Sequence, residues 1–93
     1  MRYTLTKDKR EVMFTMQPMD YLVAAAGTWD SATLKLQINP FPNLSPEVWF
    51  DYQSISFTSN GYMIAQGFNI TAKLILVGGT NPSITVALAN CQH

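Results

Sequence analysis

Apolar and polar side chains alternate along most of this chain with a period of two, the spacing that gives a strand one buried and one wetted face. The clearest case is residues 32–38, where Ala32, Leu34, Leu36 and Ile38 point one way while Thr33, Lys35 and Gln37 point the other. Residues 21–26 form a second apolar run just before it, and the two are expected to pair as a hairpin across the turn at residues 27–31. A strand over residues 11–17 stops at Pro18, which cannot donate to a central ladder. Pro40, Pro42 and Pro46 make residues 39–46 an irregular loop. Residues 47–52 and 55–58 read as two further strands, the first with Val48, Phe50 and Tyr52 on one face and Trp49 and Asp51 on the other. Ser59-Asn60-Gly61 is a turn signal of the Asn-Gly kind.

Residues 62–66, 72–77 and 83–89 complete the set, with Ile84, Val86 and Leu88 facing inward. Leu74-Ile75-Leu76-Val77 is apolar on both faces, as in a strand that is central and covered or lies in a subunit interface. Turn residues recur every eight to twelve positions, and no segment carries a helical period longer than a turn. The expected fold is therefore all-β: a compact two-sheet antiparallel β-sandwich of seven to eight strands over residues 11–93, with residues 1–10 as an arm or edge strand. Period two does not reveal strand order, so jelly-roll and immunoglobulin-like connections both remain open on the pattern alone.

Charge changes this picture. Only 13% of the 93 residues are charged, against roughly 25% in an ordinary soluble domain. Half of them, Arg2, Lys7, Asp8, Lys9, Arg10 and Glu11, fall within residues 1–11. The remaining surface must be built from hydroxyls, amides and apolar groups, and a formal net charge of +0 gives it little self-repulsion. Much of that surface is expected to be covered by copies of the chain or by a partner. Neutrality argues against nucleic-acid binding, which needs a basic stripe. One cysteine, Cys91, forms no internal disulfide. The longest apolar run, residues 21–26, is too short for a membrane span or a signal segment, so no membrane contact is expected and the cytoplasm is the expected place of assembly.

Little here suggests chemistry. The one histidine is the terminal His93, and the acids show no spacing of a zinc or calcium loop. Asp20, Asp30 and Asp51 read as turn caps or outward positions. Gly78-Gly79-Thr80 lacks the Lys and helix of a phosphate loop. No enzyme, cofactor or metal is expected; a small hydrolase would have only His93, Cys91 and isolated aspartates. Aromatic residues are better represented, at 12%. Trp29, Trp49, Tyr52 and Tyr62 are the candidates for a glycan-stacking platform, where ring faces meet sugar faces. The alternative for Trp29 is to close one end of the sandwich with its indole N–H on a loop acceptor.

Gly27-Thr28-Trp29-Asp30-Ser31-Ala32-Thr33-Leu34-Lys35-Leu36-Gln37, then Trp49-Phe50-Asp51-Tyr52 and Thr58-Ser59-Asn60-Gly61, resembles small β-sandwich structural proteins of tailed bacteriophages. The likeness runs roughly from residue 21 to 88. It departs at the proline-rich residues 39–46, where those proteins carry a short loop, and at Lys73, where they often carry Arg. The resemblance implies a non-enzymatic virion protein with a jelly-roll-like fold, assembled in the host cytoplasm. Its first implied role is capsid decoration, or cement: a homotrimer bound to the major capsid protein. Arg2, Tyr3, Lys7, Lys9, Arg10, Phe41, Leu44 and Trp49 are the expected assembly contacts. The alternative is a glycan- or receptor-binding β-sandwich module of a phage tail or fibre.

Overall fold

Eight strands account for most of the chain: β1 (Arg2–Thr6), β2 (Glu11–Met16), β3 (Asp20–Thr28), β4 (Thr33–Asn39), β5 (Phe50–Phe57), β6 (Gly61–Gln66), β7 (Ile70–Val77) and β8 (Ser83–Cys91). The computed structural model describes residues 1–91, position 91 in its backbone alone. The strands form two four-stranded sheets, ordered β1-β8-β3-β6 and β2-β7-β4-β5. All pairings are antiparallel. First pairs with last, second with seventh, third with sixth and fourth with fifth, so the chain behaves as one long hairpin rolled over on itself. That is the jelly-roll order.

The inner faces hold the apolar half of each alternating strand. Leu5, Tyr21, Val23, Ala25, Ala65, Ile84, Val86 and Leu88 line one sheet; Met16, Leu34, Leu36, Ile55, Phe57, Ala72, Leu74 and Leu76 line the other. Leu74 and Leu76 lie in β7, which has a neighbour on both sides, and this central position accounts for much of its apolar run.

Two expectations fail. The strands at 21–26 and 32–38 are not a hairpin, because β3 and β4 lie in different sheets. Their inward faces meet across the core instead of side by side. Asp30 and Ser31 adopt positive φ of 48° and 69° where the chain turns over the edge. Gly27 is needed just before: at φ 149° a side chain would have its Cβ 2.2 Å from the Ser83 carbonyl oxygen. Likewise Asn60-Gly61 joins β5 to β6 across the sandwich and is no hairpin turn.

The second failure concerns residues 47–58. They are not two strands but one, β5, which begins at Phe50 and leaves Trp49 outside it. A bulge absorbs the polar Gln53-Ser54 step, both residues at positive φ, 52° and 53°. Between Lys35↔Ser56 and Gln37↔Asp51, β4 advances by two residues and β5 by five.

Core leucines in both sheets carry the stability of such a sandwich. Leu74→Ala is expected to destabilise the fold by about 2–5 kcal/mol, whereas exposed Thr80→Ala should stay within about 0.5 kcal/mol; urea unfolding of the two variants checks both.

Candidate functional site

At one end of the sandwich the β1–β2, β3–β4, β5–β6 and β7–β8 connections are stitched together by single polar side chains. Arg10 donates to the carbonyls of Gly78 at 2.6 Å and Gly79 at 3.2 Å, and to that of Lys7 at 3.1 Å. The Asp30 carboxylate accepts from the Asn81 backbone N–H at 2.7 Å. The Asn60 side-chain oxygen accepts from the Trp29 indole at 2.9 Å and the Gly27 N–H at 3.0 Å. Trp29 therefore closes this end, half-buried against the core. Arg10 is engaged internally, while Lys7 and Lys9 stay exposed in the neighbouring turn.

The outer face of β2-β7-β4-β5 gathers much of the remaining charge. Register places Met13, Lys73, Gln37 and Asp51 in one row across the sheet. Lys73 is only 9% exposed. Its ammonium sits 3.3 Å from the Glu11 carboxylate and 4.3 Å from the centre of the Trp49 ring. Leaving the strand early lets Trp49 fold back over this face as a lid on the cation. Beside it, Gln37 donates to Asp51 at 2.8 Å and Lys35 approaches the same carboxylate at 3.6 Å. The Asp51 carboxyl is held below its ordinary 3.8 chiefly by the Gln37 hydrogen bond, with burial opposing and the Lys35 charge assisting. A shallow depression lined by Lys35, Asp51, Ser54, Ile55 and Ser56 lies alongside.

The outer face of β1-β8-β3-β6 is different in kind. Leu22, Ala24 and Ala26 of β3, Ala87 and Ala89 of β8, and Tyr62 and Ile64 of β6 form an uncharged platform. Arg2 stands at its β1 edge, in one row with Ala87, Ala24 and Tyr62. A depression of about 480 Å³ runs over this row, bounded by Arg2 at one side and by Asn60 and Tyr62 at the other. Tyr3, on the opposite face of β1, packs half-buried against the core.

The far end carries the proline-rich loop. Phe41 and Leu44 are exposed there, and Phe41 meets Phe50 edge-on at 6.2 Å. Tyr52 packs on Phe68 at 5.6 Å and donates its hydroxyl to the Gln66 carbonyl, burial raising its phenol above the ordinary 10.0.

The expected assembly contacts are thus scattered: Arg2 on one sheet face, Trp49 on the other, Phe41 and Leu44 at one end, Lys7, Lys9 and Arg10 at the other. The four candidate stacking rings are dispersed too, since Trp29 caps an end, Trp49 covers Lys73, Tyr52 packs on Phe68, and Tyr62 stands on the opposite sheet. His93 and the Cys91 side chain lie outside the described residues. Among the described residues, no three His, Cys, Asp or Glu side chains are grouped to hold a metal ion, and no helix is long and apolar enough to cross a membrane. Comparison of the chain with protein-family models, curated proteins and solved structures finds no match. The Glu11–Lys73–Trp49 stack was missed from sequence because its members are far apart along the chain. The signal available was a lone lysine in an otherwise apolar strand.

Two measurements test this face. In a double-mutant cycle, Trp49→Leu and Lys73→Met should couple by about 0.5–2 kcal/mol, the range for a cation held on an aromatic ring. For Asp51 the charged form is the one the fold favours. Its contribution is present above the ordinary carboxylate range and is lost as pH falls through the lowered value. Its carboxyl carbon should titrate by NMR with a midpoint below 3.8, moving upward in Gln37→Leu.

Proposed function

We propose that this chain is a non-enzymatic structural protein of a tailed-phage virion, a decoration protein that binds the assembled shell and ties its subunits together. The observation that carries the reading is the uncharged middle of the outer face of β1-β8-β3-β6, where Leu22, Ala24, Ala26, Ala87 and Ile64 lie beside Tyr62 and the charges, Arg2 and Asp20, stand at the margins. Small side chains leave such a face flat, so a broad surface can approach closely and expel water without leaving charges stranded. The jelly roll supports the reading only by analogy of fold, which hosts many functions. The sequence resemblance supplies the phage and the shell, and it implies a homotrimer on the major capsid protein.

The mechanism is mechanical. A protein that binds the assembled lattice and not its free subunits stabilises the lattice by mass action, by RT ln(1 + L/Kd) per site, where L is its free concentration. Burying the apolar face across neighbouring subunits provides that preference, because the composite surface exists only in the shell. The glycan-binding alternative is less favoured by the rings: Trp49 is committed to Lys73 and Trp29 to Asn60, which leaves Tyr62 as the open one.

Mixed with assembled heads of a phage carrying this chain, and separately with unassembled capsid protein, the protein is expected to sediment with the heads alone and to raise their disruption temperature. Ala24→Lys, which places a charge in the middle of the face, should abolish both effects. Failure to sediment with heads, together with saturable oligosaccharide binding lost in Tyr62→Ala, would overturn the proposal in favour of glycan recognition.

A further inference from the structure

Four strands end the two sheets: β1 and β6 in one, β2 and β5 in the other. A sheet edge is a row of unpaired N–H and C=O groups, and proteins protect it with charge, brevity or a bulge. β1 carries Arg2, β2 carries Glu11, and β5 carries Asp51 and is broken by the bulge at Gln53-Ser54. β6, Gly-Tyr-Met-Ile-Ala-Gln, has no charge and no proline. Tyr62, Met63 and Ile64 are 70%, 38% and 52% exposed in succession.

The hydrogen bonds identify which backbone groups on this edge are open. Gly67 N–H donates to Met19 O at 3.0 Å, so position 67 faces β3. Gln66, one residue back, faces the other way: its N–H donates to the Gln53 side chain at 3.1 Å and its carbonyl accepts from Tyr52. Antiparallel ladders alternate, so Ile64 and Tyr62 share the outward orientation of Gln66 while Met63 and Ala65 face β3. Each copy thus offers two free N–H groups and two free carbonyls, at Tyr62 and Ile64, and the row ends where β5 caps Gln66.

We infer that β6 pairs antiparallel with β6 of a second copy across a twofold axis at Met63, joining two four-stranded sheets into one of eight. In that register Tyr62 lies opposite Ile64 of the other copy and each pair exchanges two hydrogen bonds, so every open group at these positions is satisfied. Registers centred on Tyr62 or Ile64 leave some of them unmatched. The same register sets each tyrosine ring beside an isoleucine on the outer face, a favourable cross-strand pairing, and continues the uncharged platform from one copy to the next. A neutral edge has no sign with which to select a charged partner, and two copies of a chain with net charge +0 do not repel. Six residues a side is a small contact beside the roughly 1,200–2,000 Å² of stable interfaces, so the pair forms and dissociates with concentration. The assignment rests on the edge geometry and not on the shell reading, and it makes the solution species a dimer where the resemblance implies a trimer.

Two variants read the pairing directly. In a Cys91→Ser background, Met63→Cys places two sulfurs across the axis on α-carbons about 4.5 Å apart, within disulfide range. Mild oxidation should link most of the protein as covalent dimer, while Thr4→Cys, on the opposite edge of the same sheet, should stay monomeric. Ile64→Pro removes an outward N–H that bonds nothing within the chain, so its circular dichroism should match the parent while the dissociation constant from light scattering rises at least about tenfold. A species that remains at 10.4 kDa at every concentration overturns the inference. So does a trimer, or a dimer that neither links through Met63→Cys nor weakens in a folded Ile64→Pro. Because head sedimentation is scored separately, Ile64→Pro that still binds heads overturns neither the edge pairing nor the shell reading, whereas a wild-type dimer that ignores heads removes the shell reading alone.

Discussion

Everything in this molecule depends on one constraint: each strand has an apolar face to bury, and eight such faces must cover one another without a helix to help. Nesting the chain as first-with-last, second-with-seventh and so on places the apolar faces of consecutive strands, β4 and β5 excepted, on opposite sides of one core. The cost of that arrangement falls on the connections. Four of them arch over the same end, and no hairpin turn holds them. They are held instead by Arg10, Asp30 and Asn60, each reaching backbone or side-chain groups of a neighbouring arch. These are exposed or partly exposed hydrogen bonds, individually worth about 1 kcal/mol. Their role is to fix which arch lies against which.

The alternation that builds the core was plain in the chain, and so was the position of nearly every strand. Leu34 and Leu36 against Lys35 and Gln37 could hardly be read otherwise. What the alternation could not carry was partnership, because β3 next to β4 in one sheet and β3 facing β4 across a core have the same period. The turn between them looked like a hairpin signal since it contains Gly27, Asp30 and Ser31, and those residues are equally suited to an arch that needs positive φ. At β5 the error ran the other way. Gln53-Ser54 looked like a break, yet a bulge lets one strand continue through it.

The candidate surfaces were less legible than the fold. Lys73 is one charge in an otherwise apolar strand and Trp49 falls in the run at residues 47–52; their contact depends on Trp49 lying in the loop before β5. Glu11 lies 62 positions from Lys73 in the chain and meets it only because β2 pairs with β7 in the same sheet. Burying a lysine is tolerable where a carboxylate and a ring face replace the water it loses. That arrangement also means that the sparse charges of this chain do not all serve solubility. Lys73, Glu11, Lys35, Asp51, Asp30 and Arg10 are each tied to another group within the molecule.

This changes how the low charge content should be understood. Few charges spread evenly would protect a surface thinly everywhere. Here the protection is concentrated on one sheet and at one end. The other sheet presents alanines, Leu22, Ile64 and Tyr62, bordered on one side by Arg2 and on the other by an edge strand with no charge at all. Protection of sheet edges is the commonest device against unwanted pairing, and it is present on three edges and missing on the fourth. An omission confined to the strand that also borders the bare face gives the sandwich a direction, and the pairing inferred for β6 follows from it: one sheet spends its charges on its own outer face, while the other leaves an edge and the face behind it bare.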